Sequence, residues 1–223
     1  MSDFDHHNND FERENTAPRK PKKKRKPRPP KKISESYLHN SGLYYLQRFA
    51  SSSANFKAVM MRKAWKSCAH HADQDKDECE AMVDALVVKF QELELLNDAA
   101  YTRGVVTSFR RRGLSKRTIL TKMRMKGISN EDTLAALETY ERENLRNPEE
   151  AEMIAALTMA RKKALGPFIR ADRIKPDMDD EERKKQTEKA MAKLARGGFS
   201  YHIVRRVFDM NFKDVDQFLY DNA

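Results

Sequence analysis

Glycine and proline are scarce in most of this sequence. Only 7 of its 223 residues are glycine and 8 are proline, and five of those prolines fall within the first thirty residues. Helix breakers are therefore nearly excluded from the body of the chain, which is rich in Leu, Ala, Met, Lys, Arg and Glu. Because these residues favour helices, the composition predicts an all-α fold.

Long apolar runs are missing as well. No stretch approaches the roughly 18 to 20 apolar residues that a membrane-spanning helix needs. The N-terminus is acidic and contains histidine, without the apolar core of a signal peptide. These absences predict a cytoplasmic protein without a membrane partner.

Cysteine is too rare for a disulfide framework, since the chain has only two. The stretch "CAHHADQDKDEC" places Cys68, His70, His71 and Cys79 close together. Zinc ligands usually come in short, regular spacings such as C-x-x-C, and this stretch has none. We therefore predict a polar loop at a helix end, with no metal and no cofactor, and elemental analysis for zinc would test the alternative.

Catalytic signatures are also lacking. The sequence contains no phosphate-binding loop, no dinucleotide-binding glycine pattern, no G-x-S-x-G and no H-E-x-x-H. Consecutive acids at Asp179, Asp180, Glu181 and Glu182 are explained by the favourable position of carboxylates at a helix start. His202 has no partner residue for acid–base chemistry in its neighbourhood. The chain is predicted not to be an enzyme.

Acidic residues are absent between Tyr101 and Ser129, where nine side chains are basic. Lys116 and Arg117 follow a predicted N-cap, Ser115, where each cation opposes the helix dipole by about 0.3 to 1 kcal/mol. Solvated helix faces usually mix both signs of charge, so this alternative is less favoured than an anionic partner. The predicted contact residues are Arg103, Arg110, Arg111, Arg112, Lys116, Arg117, Lys122, Arg124 and Lys126.

A second basic segment lies near the N-terminus. Residues 17–32 hold ten basic side chains and no acid, whereas residues 1–16 carry a net charge of −4. We predict a disordered basic tail over 1–35, because proline-spaced, self-repelling charges do not build a core. Its Lys22, Lys23, Lys24, Arg25 and Lys26 are predicted to bind phosphates without sequence preference. Two alternatives remain: a solubilising tail, or a nuclear import signal in a eukaryote.

Apolar residues recur with helical spacing from Ser36 onward, and the pattern repeats. Ile119, Met123 and Gly127 align with Ala190, Leu194 and Gly198 at the ends of two corresponding helices. Units this small are not stable alone and stack on their neighbours. The sequence thus predicts three tandem three-helix repeats, at 36–96, 97–147 and 148–223, that form an elongated, curved rod.

Two stretches resemble the RecX family, the bacterial regulators of the RecA recombinase. They are "LLNDAAYTRGVVTSFRRRGLSKRTILTKMRMKGIS" and "LARGGFSYHIVRRVF", and the resemblance runs from about residue 36 to residue 219. Its most specific elements are Leu96, Asn97, Asp98 and Tyr101, the "RRRG" run, and the "KGI" and "GGFS" helix ends. The chain departs from the family at "KAWKSCAHH", in the long loop of the third repeat, and in its basic tail.

The resemblance implies a monomeric interaction protein without a catalytic site. It implies binding to RecA, to the RecA filament on single-stranded DNA and to the phosphate backbone. The expected effect is mainly inhibition of filament growth, ATP hydrolysis, strand exchange and cleavage of the SOS repressor. The location implied is the bacterial cytoplasm, with nucleoid association when bound, and a curved cationic rod suits a helical groove.

The residues also allow a second function, that of a non-specific DNA-binding accessory protein that grips DNA through its tail and basic patch. Direct phosphate binding would weaken steeply as salt rises. Binding to a filament would retain affinity through apolar protein contacts. Salt dependence therefore separates the two functions.

Overall fold

The computed structural model describes residues 29–170, 172 and 179–222. Within these residues the chain forms ten α-helices, two short 3-10 helices and no strand, which confirms the all-α prediction. The α-helices are α1 (Glu35–Leu46), α2 (Ser53–Cys68), α3 (Lys76–Glu92), α4 (Asp98–Arg111), α5 (Lys116–Arg124), α6 (Asn130–Asn144), α7 (Ala151–Lys163), α8 (Asp180–Arg196), α9 (Tyr201–Asp209) and α10 (Phe212–Asn222). In this described part, no helix combines the length and apolar character of a bilayer span.

Side-chain caps determine where most of these helices begin. The hydroxyl of Ser115 accepts a hydrogen bond from the backbone N–H of Thr118, 3.2 Å away, which pairs one of the free donors of the first turn. At seven other helices of the described residues, a side-chain oxygen accepts a backbone N–H of the first turn in the same way. These N-caps are Ser34, Ser52, Asp75, Asn97, Ser129, Asp179 and Ser200. The polar residues between the apolar runs therefore fix the register of the helices.

The helices pack around three hydrophobic cores that follow one another along the chain. The first core lies within α1–α3 and includes Leu38, Phe56 and Phe90. The second lies within α4–α6 and is built on Val106, Ile119, Met123 and Leu137. The third lies within α7–α10 and includes Met153, Leu157, Leu194 and Val204. We refer to these as the first, second and third helix groups; the repeat boundaries themselves stay a prediction, which the three cores favour.

One hydroxyl contact occurs at both junctions between neighbouring groups. At the first junction, the N-cap Ser52 of α2 donates its hydroxyl to the backbone carbonyl of Lys126, just after α5. At the second junction, the N-cap Ser115 of α5 donates to the carbonyl of Gly197, 2.7 Å away, just after α8. Corresponding residues thus make corresponding contacts, as tandem repeats require.

A carboxylate contact accompanies it at both junctions. Asp98, in the first turn of α4, accepts a hydrogen bond from the backbone N–H of Ser53 at 2.7 Å. Glu152, in the first turn of α7, accepts one from the backbone N–H of Lys116 at 2.7 Å. The N-terminus of the second helix in one group is therefore capped by an acid from the group that follows.

The third group contains four α-helices because its last segment is broken. After α9 the chain bends at Asn211, whose side-chain oxygen accepts hydrogen bonds from the backbone N–H groups of Lys213 and Asp214 at 2.9 and 3.0 Å. This local cap starts α10, which turns back toward the beginning of the group. There the carbonyl of Asn222 accepts a hydrogen bond from the N–H of Asn147 at 3.2 Å.

Residues 30–34, which we call the N-terminal strap, lie against the connection between α2 and α3. Ile33 is buried, and its backbone N–H and carbonyl both bond the side-chain amide of Gln74 at 3.0 Å. The hydroxyl of Ser67 donates to the carbonyl of Lys31 at 2.8 Å. The folded body therefore begins at about Pro30, before the predicted boundary at Ser36. The predicted tail residues Lys22 to Lys26 lie outside the described residues.

Candidate functional site

A basic surface covers the outer faces of α4 and α5. Ile119 and Met123 turn toward the second core and leave the cations of α5 outside. We define the central basic surface as Arg103, Arg111, Arg112, Lys116, Arg117, Lys122, Arg124 and Lys126, all exposed except the half-buried Lys126. Among the described residues, none of these eight side chains forms an ion pair with a carboxylate. Eight of the nine predicted contact residues are thus accessible to a partner.

Two cations of this surface rest on aromatic rings. The ammonium of Lys126 lies 5.8 Å from the centre of the Tyr101 ring, and the guanidinium carbon of Arg112 lies 5.9 Å from that of Phe109. Each distance is within the range in which a ring face attracts a cation. The rings restrict both charged groups without neutralising them, so their charge remains available to an anion.

Arg110, the ninth predicted residue, does not belong to this surface. Its side chain is only 3% exposed, and one guanidinium nitrogen donates to Glu152 at 2.8 Å. A second guanidinium nitrogen pairs with Glu141 on α6. The prediction of Arg110 as a contact residue is therefore corrected: it is a buried link between α4, α6 and α7.

The reason is a displaced buried face on α4. The sequence predicts an apolar face at Tyr101, Val105 and Phe109, but the fully buried line runs through Thr102, Val106 and Arg110. The three predicted residues are half-buried beside it. Since α4 packs against both α6 and α7, its buried face is wider than the apolar stripe and includes Arg110.

The start of α5 has an acid beside it, although the sequence from Tyr101 to Ser129 contains none. The carboxylate of Glu152 accepts the backbone N–H of Lys116, although it is 36 residues away in sequence. It therefore offsets the unfavourable placement of Lys116 and Arg117 at a helix N-terminus. The side chains of these two residues nevertheless stay exposed and without a carboxylate partner in the described part of the chain.

Three further cations continue the surface beyond the residues predicted from sequence. Lys162 and Lys163 lie at the end of α7 and Arg196 at the end of α8, and these side chains line the same cleft as Arg112. The ammonium of Lys162 donates to the backbone carbonyl of Arg111 at 3.0 Å. Sequence reasoning missed them because a basic last turn has an ordinary explanation in the helix dipole.

The cysteine and histidine cluster lies where α2 connects to α3. Both cysteines are free thiols, and burial next to the Cys68 thiol raises the pKa of Cys79 to about 11. The ring of His71 bonds the carbonyl of Pro30 at 2.9 Å, and His70 stacks edge-on against it. Among the residues that the structure describes, no three His, Cys, Asp or Glu side chains are grouped to hold a metal ion.

The other polar residues considered from sequence have local roles. Asp179 is the N-cap of α8 and accepts a hydrogen bond from the backbone N–H of Glu182 at 2.6 Å. Asp180 and Glu181 lie in the same first turn, where the helix dipole favours them. His202 is exposed in the first turn of α9.

Known proteins similar to this chain share one description. No protein-family model matches the chain. A protein of Myxococcus xanthus named "Regulatory protein RecX" is 38% identical over 85% of this chain and 94% of its own length. A protein of the same name from Agrobacterium fabrum is 30% identical over 83% of this chain and 89% of its own length.

Two solved structures have a similar fold. The crystal structure of RecX from Lactobacillus salivarius has a TM-score of 0.51 at 19% identity, over 78% of this chain and 94% of that chain. A crystal structure of regulatory protein RecX has a TM-score of 0.53 at 18% identity, over 79% of this chain and 72% of that chain. At these identities the structures support the all-helical fold.

Proposed function

The chain belongs to the RecX family of regulatory proteins, and we propose that it regulates the RecA recombinase by binding RecA and its filament on single-stranded DNA. In this proposal the protein acts as a monomer and contacts the phosphate backbone. Its main effect is inhibition of filament growth, and with it of ATP hydrolysis, strand exchange and SOS repressor cleavage.

The observation that carries the proposal is the central basic surface. Eight cations on or next to two adjacent helices have no carboxylate partner in the described residues. Carboxylates do pair with the buried Arg110 and with the backbone at the start of α5. Arg111 and Arg112 are adjacent in sequence, as are Lys116 and Arg117, and their like charges repel one another in the free protein. A nucleoprotein filament offers regularly spaced phosphates, and each neutralised phosphate releases a counterion.

The arrangement of the helix groups supports binding to an extended partner. Both junctions use the same hydroxyl and carboxylate contacts, so each group is held to the next in a repeated manner. We propose that the three groups are structural repeats that follow successive positions along the filament. A surface formed from repeats matches a partner that is itself repetitive.

The test is RecA ATP hydrolysis on single-stranded DNA, with this protein titrated well below the RecA concentration. Inhibition at such amounts is expected from a regulator of filaments, because one bound molecule affects many RecA subunits. The double variant Lys116→Glu, Arg117→Glu should lose this inhibition. The matched control is Arg183→Glu, Lys184→Glu, which makes the same charge change on exposed residues near the start of α8, at the opposite end of that helix from Arg196.

The alternative is a DNA-binding accessory protein that competes for phosphates. It is favoured by the ten basic residues of the segment 17–32 together with the central basic surface. Inhibition that appears only when the protein saturates the DNA, and that both double variants weaken equally, would support this alternative and contradict the filament-specific proposal. Its affinity would also fall steeply with salt.

A further inference from the structure

A cleft of about 350 Å³ opens where the second helix group meets the third. Four cations line it: Arg112 at the end of α4, Lys162 and Lys163 at the end of α7, and Arg196 at the end of α8. Among the residues that the structure describes, no acidic side chain lines it. Cations far apart in sequence thus line one cleft.

The floor of the cleft is a close contact between the two groups. Across the junction, a Cβ at Gly113 would come within 2.7 Å of the backbone nitrogen of Met159. Within the third group, a Cβ at Gly197 would come within 2.8 Å of the Met159 methyl carbon. The carbonyl of Gly197 also accepts the hydroxyls of Ser115 and Thr118, at 2.7 and 2.8 Å. The walls are therefore held in place before any ligand arrives.

Helix dipoles explain the four cations only in part. Three helices end at this cleft, and cations are favourable near helix C-termini. Any exposed cation near a helix C-terminus would stabilise the dipole, so the dipoles do not explain why these four line the same cleft. Arg161, which precedes Lys162 in the chain and does not line the cleft, pairs with Asp216 of α10 at 3.4 Å. In the described residues, the four cleft cations have no such carboxylate.

We propose that this cleft is a phosphate-binding subsite that takes a backbone phosphate of single-stranded nucleic acid, an inference that rests on the proposed function. Arg112 belongs to both the cleft and the central basic surface, and the Lys162 ammonium is bonded to the carbonyl of Arg111. A polynucleotide that follows α5 therefore reaches the cleft without a break. Arg196 presents a planar donor fork that suits phosphate oxygens, and the lysines supply point charges.

A free nucleotide is the other possible source of phosphate. It would occupy the cleft alone and gain nothing from the cations along α5. The continuity of the two basic regions favours the polymer. Binding of a nucleoside triphosphate must therefore be measured separately from binding of an oligonucleotide.

The experiment uses the full chain without RecA and measures anisotropy of a labelled oligothymidylate across a salt series. The variant is Lys163→Gln, Arg196→Gln, and the control is Arg183→Gln, Lys184→Gln, with the same loss of charge on exposed residues of α8. Loss of the one phosphate contact in the cleft should reduce the salt slope by about 0.7, the value for each phosphate on a single strand. Affinity should fall severalfold more than in the control, and Lys163→Arg, Arg196→Lys should restore most of it.

Equal slopes and affinities for the variant and the control would overturn the subsite. In a second arm, ATP replaces the oligonucleotide in equilibrium dialysis. ATP binding that the cleft variant abolishes, with unchanged oligothymidylate binding, would also overturn the proposal, because the cleft would then be a nucleotide site. RecA is absent from both arms, so failure of the proposed function, seen as no inhibition of ATP hydrolysis, is a separate result.

Discussion

The guanidinium of Arg110 lies 2.8 Å from the carboxylate of Glu152 and joins the last turn of α4 to the first turn of α7. Its second nitrogen pairs with Glu141, so two carboxylates face one buried cation. The same oxygen of Glu152 accepts the backbone N–H of Lys116. One acid thus connects the second and third helix groups through both α4 and α5.

Replacing Arg110 should therefore affect stability rather than binding. Arg110→Ala is expected to lower the free energy of unfolding by about 1 to 3 kcal/mol, because it leaves two half-buried carboxylates without their cation. Urea denaturation measures this change. As a control, Arg110→Met, Glu141→Leu should cost less, since it removes the cation together with one acid and keeps the volume. A stable Arg110→Ala with selectively weaker DNA binding would contradict the structural role.

The glycines after α5 and α8 mark the junctions and should not tolerate a side chain. Gly127 has a φ of +75°, and a Cβ added there would lie 2.2 Å from the Cβ of Ala54. Gly198 has a φ of +89°, and a Cβ added there would lie 2.5 Å from the hydroxyl of Ser115. Alanine at either position is expected to destabilise by about 1 to 3 kcal/mol from backbone strain alone. Gly104 is the matched control, because a Cβ there meets nothing within 4 Å.

Gly104→Ala should raise the free energy of unfolding by about 0.8 to 1 kcal/mol, since Gly104 lies within α4 and alanine is the better helix former. Thermal and urea unfolding of the three variants would measure the expected loss of stability at Gly127 and Gly198 and the expected gain at Gly104. Three similar changes in stability would show that the junctions do not confine Gly127 and Gly198.

Two truncations should separate the basic tail from the fold. Removal of residues 1–28 leaves the N-terminal strap in place and is expected to lower DNA affinity and the salt slope without changing stability. Removal of residues 1–33 also deletes Ile33, which is 6% exposed, and the partners of Gln74 and Ser67. Only this longer truncation should lower the unfolding midpoint. Equal midpoints would mean that the strap contributes nothing to the first core.

The two thiols should react at different rates. Burial raises the pKa of Cys79 from 9.0 to about 11, so its thiolate fraction at pH 8 falls by about 100-fold. Iodoacetamide labelling followed by mass spectrometry should modify the half-buried Cys68 first, and Cys68→Ser should leave a single slow thiol. Because the folded state holds this proton more tightly, stability should fall as pH rises from about 9 to about 11. Equal labelling rates would contradict the burial.

Much of the fold follows from local sequence signals. Ser52, Ser115 and Ser129 precede apolar runs, and each caps a helix in the structure. The broken last segment was less evident, because its apolar spacing continues across Asn211. The break is caused by a local cap, because the side-chain oxygen of Asn211 accepts backbone N–H groups that a continuous helix would use.

The candidate site was predictable only along one segment of the chain. The cluster of cations between Tyr101 and Ser129 identifies α5 because helix neighbours are also neighbours in sequence. The burial of Arg110 was not predictable, since its partners Glu141 and Glu152 lie 31 and 42 residues away. The cleft likewise combines three helix ends, which only tertiary packing brings together.

The repeated junction gives the stability of this array a direction. The first turns of α2 and α5 take carboxylates from the following group, Asp98 and Glu152, whereas α8 begins with its own Asp179. The first and second groups therefore depend on the following group for the carboxylate that caps their second helix. The third group supplies this carboxylate itself. Fragments that keep the C-terminal side should therefore remain cooperative, while those that lose it should melt progressively toward the N-terminus.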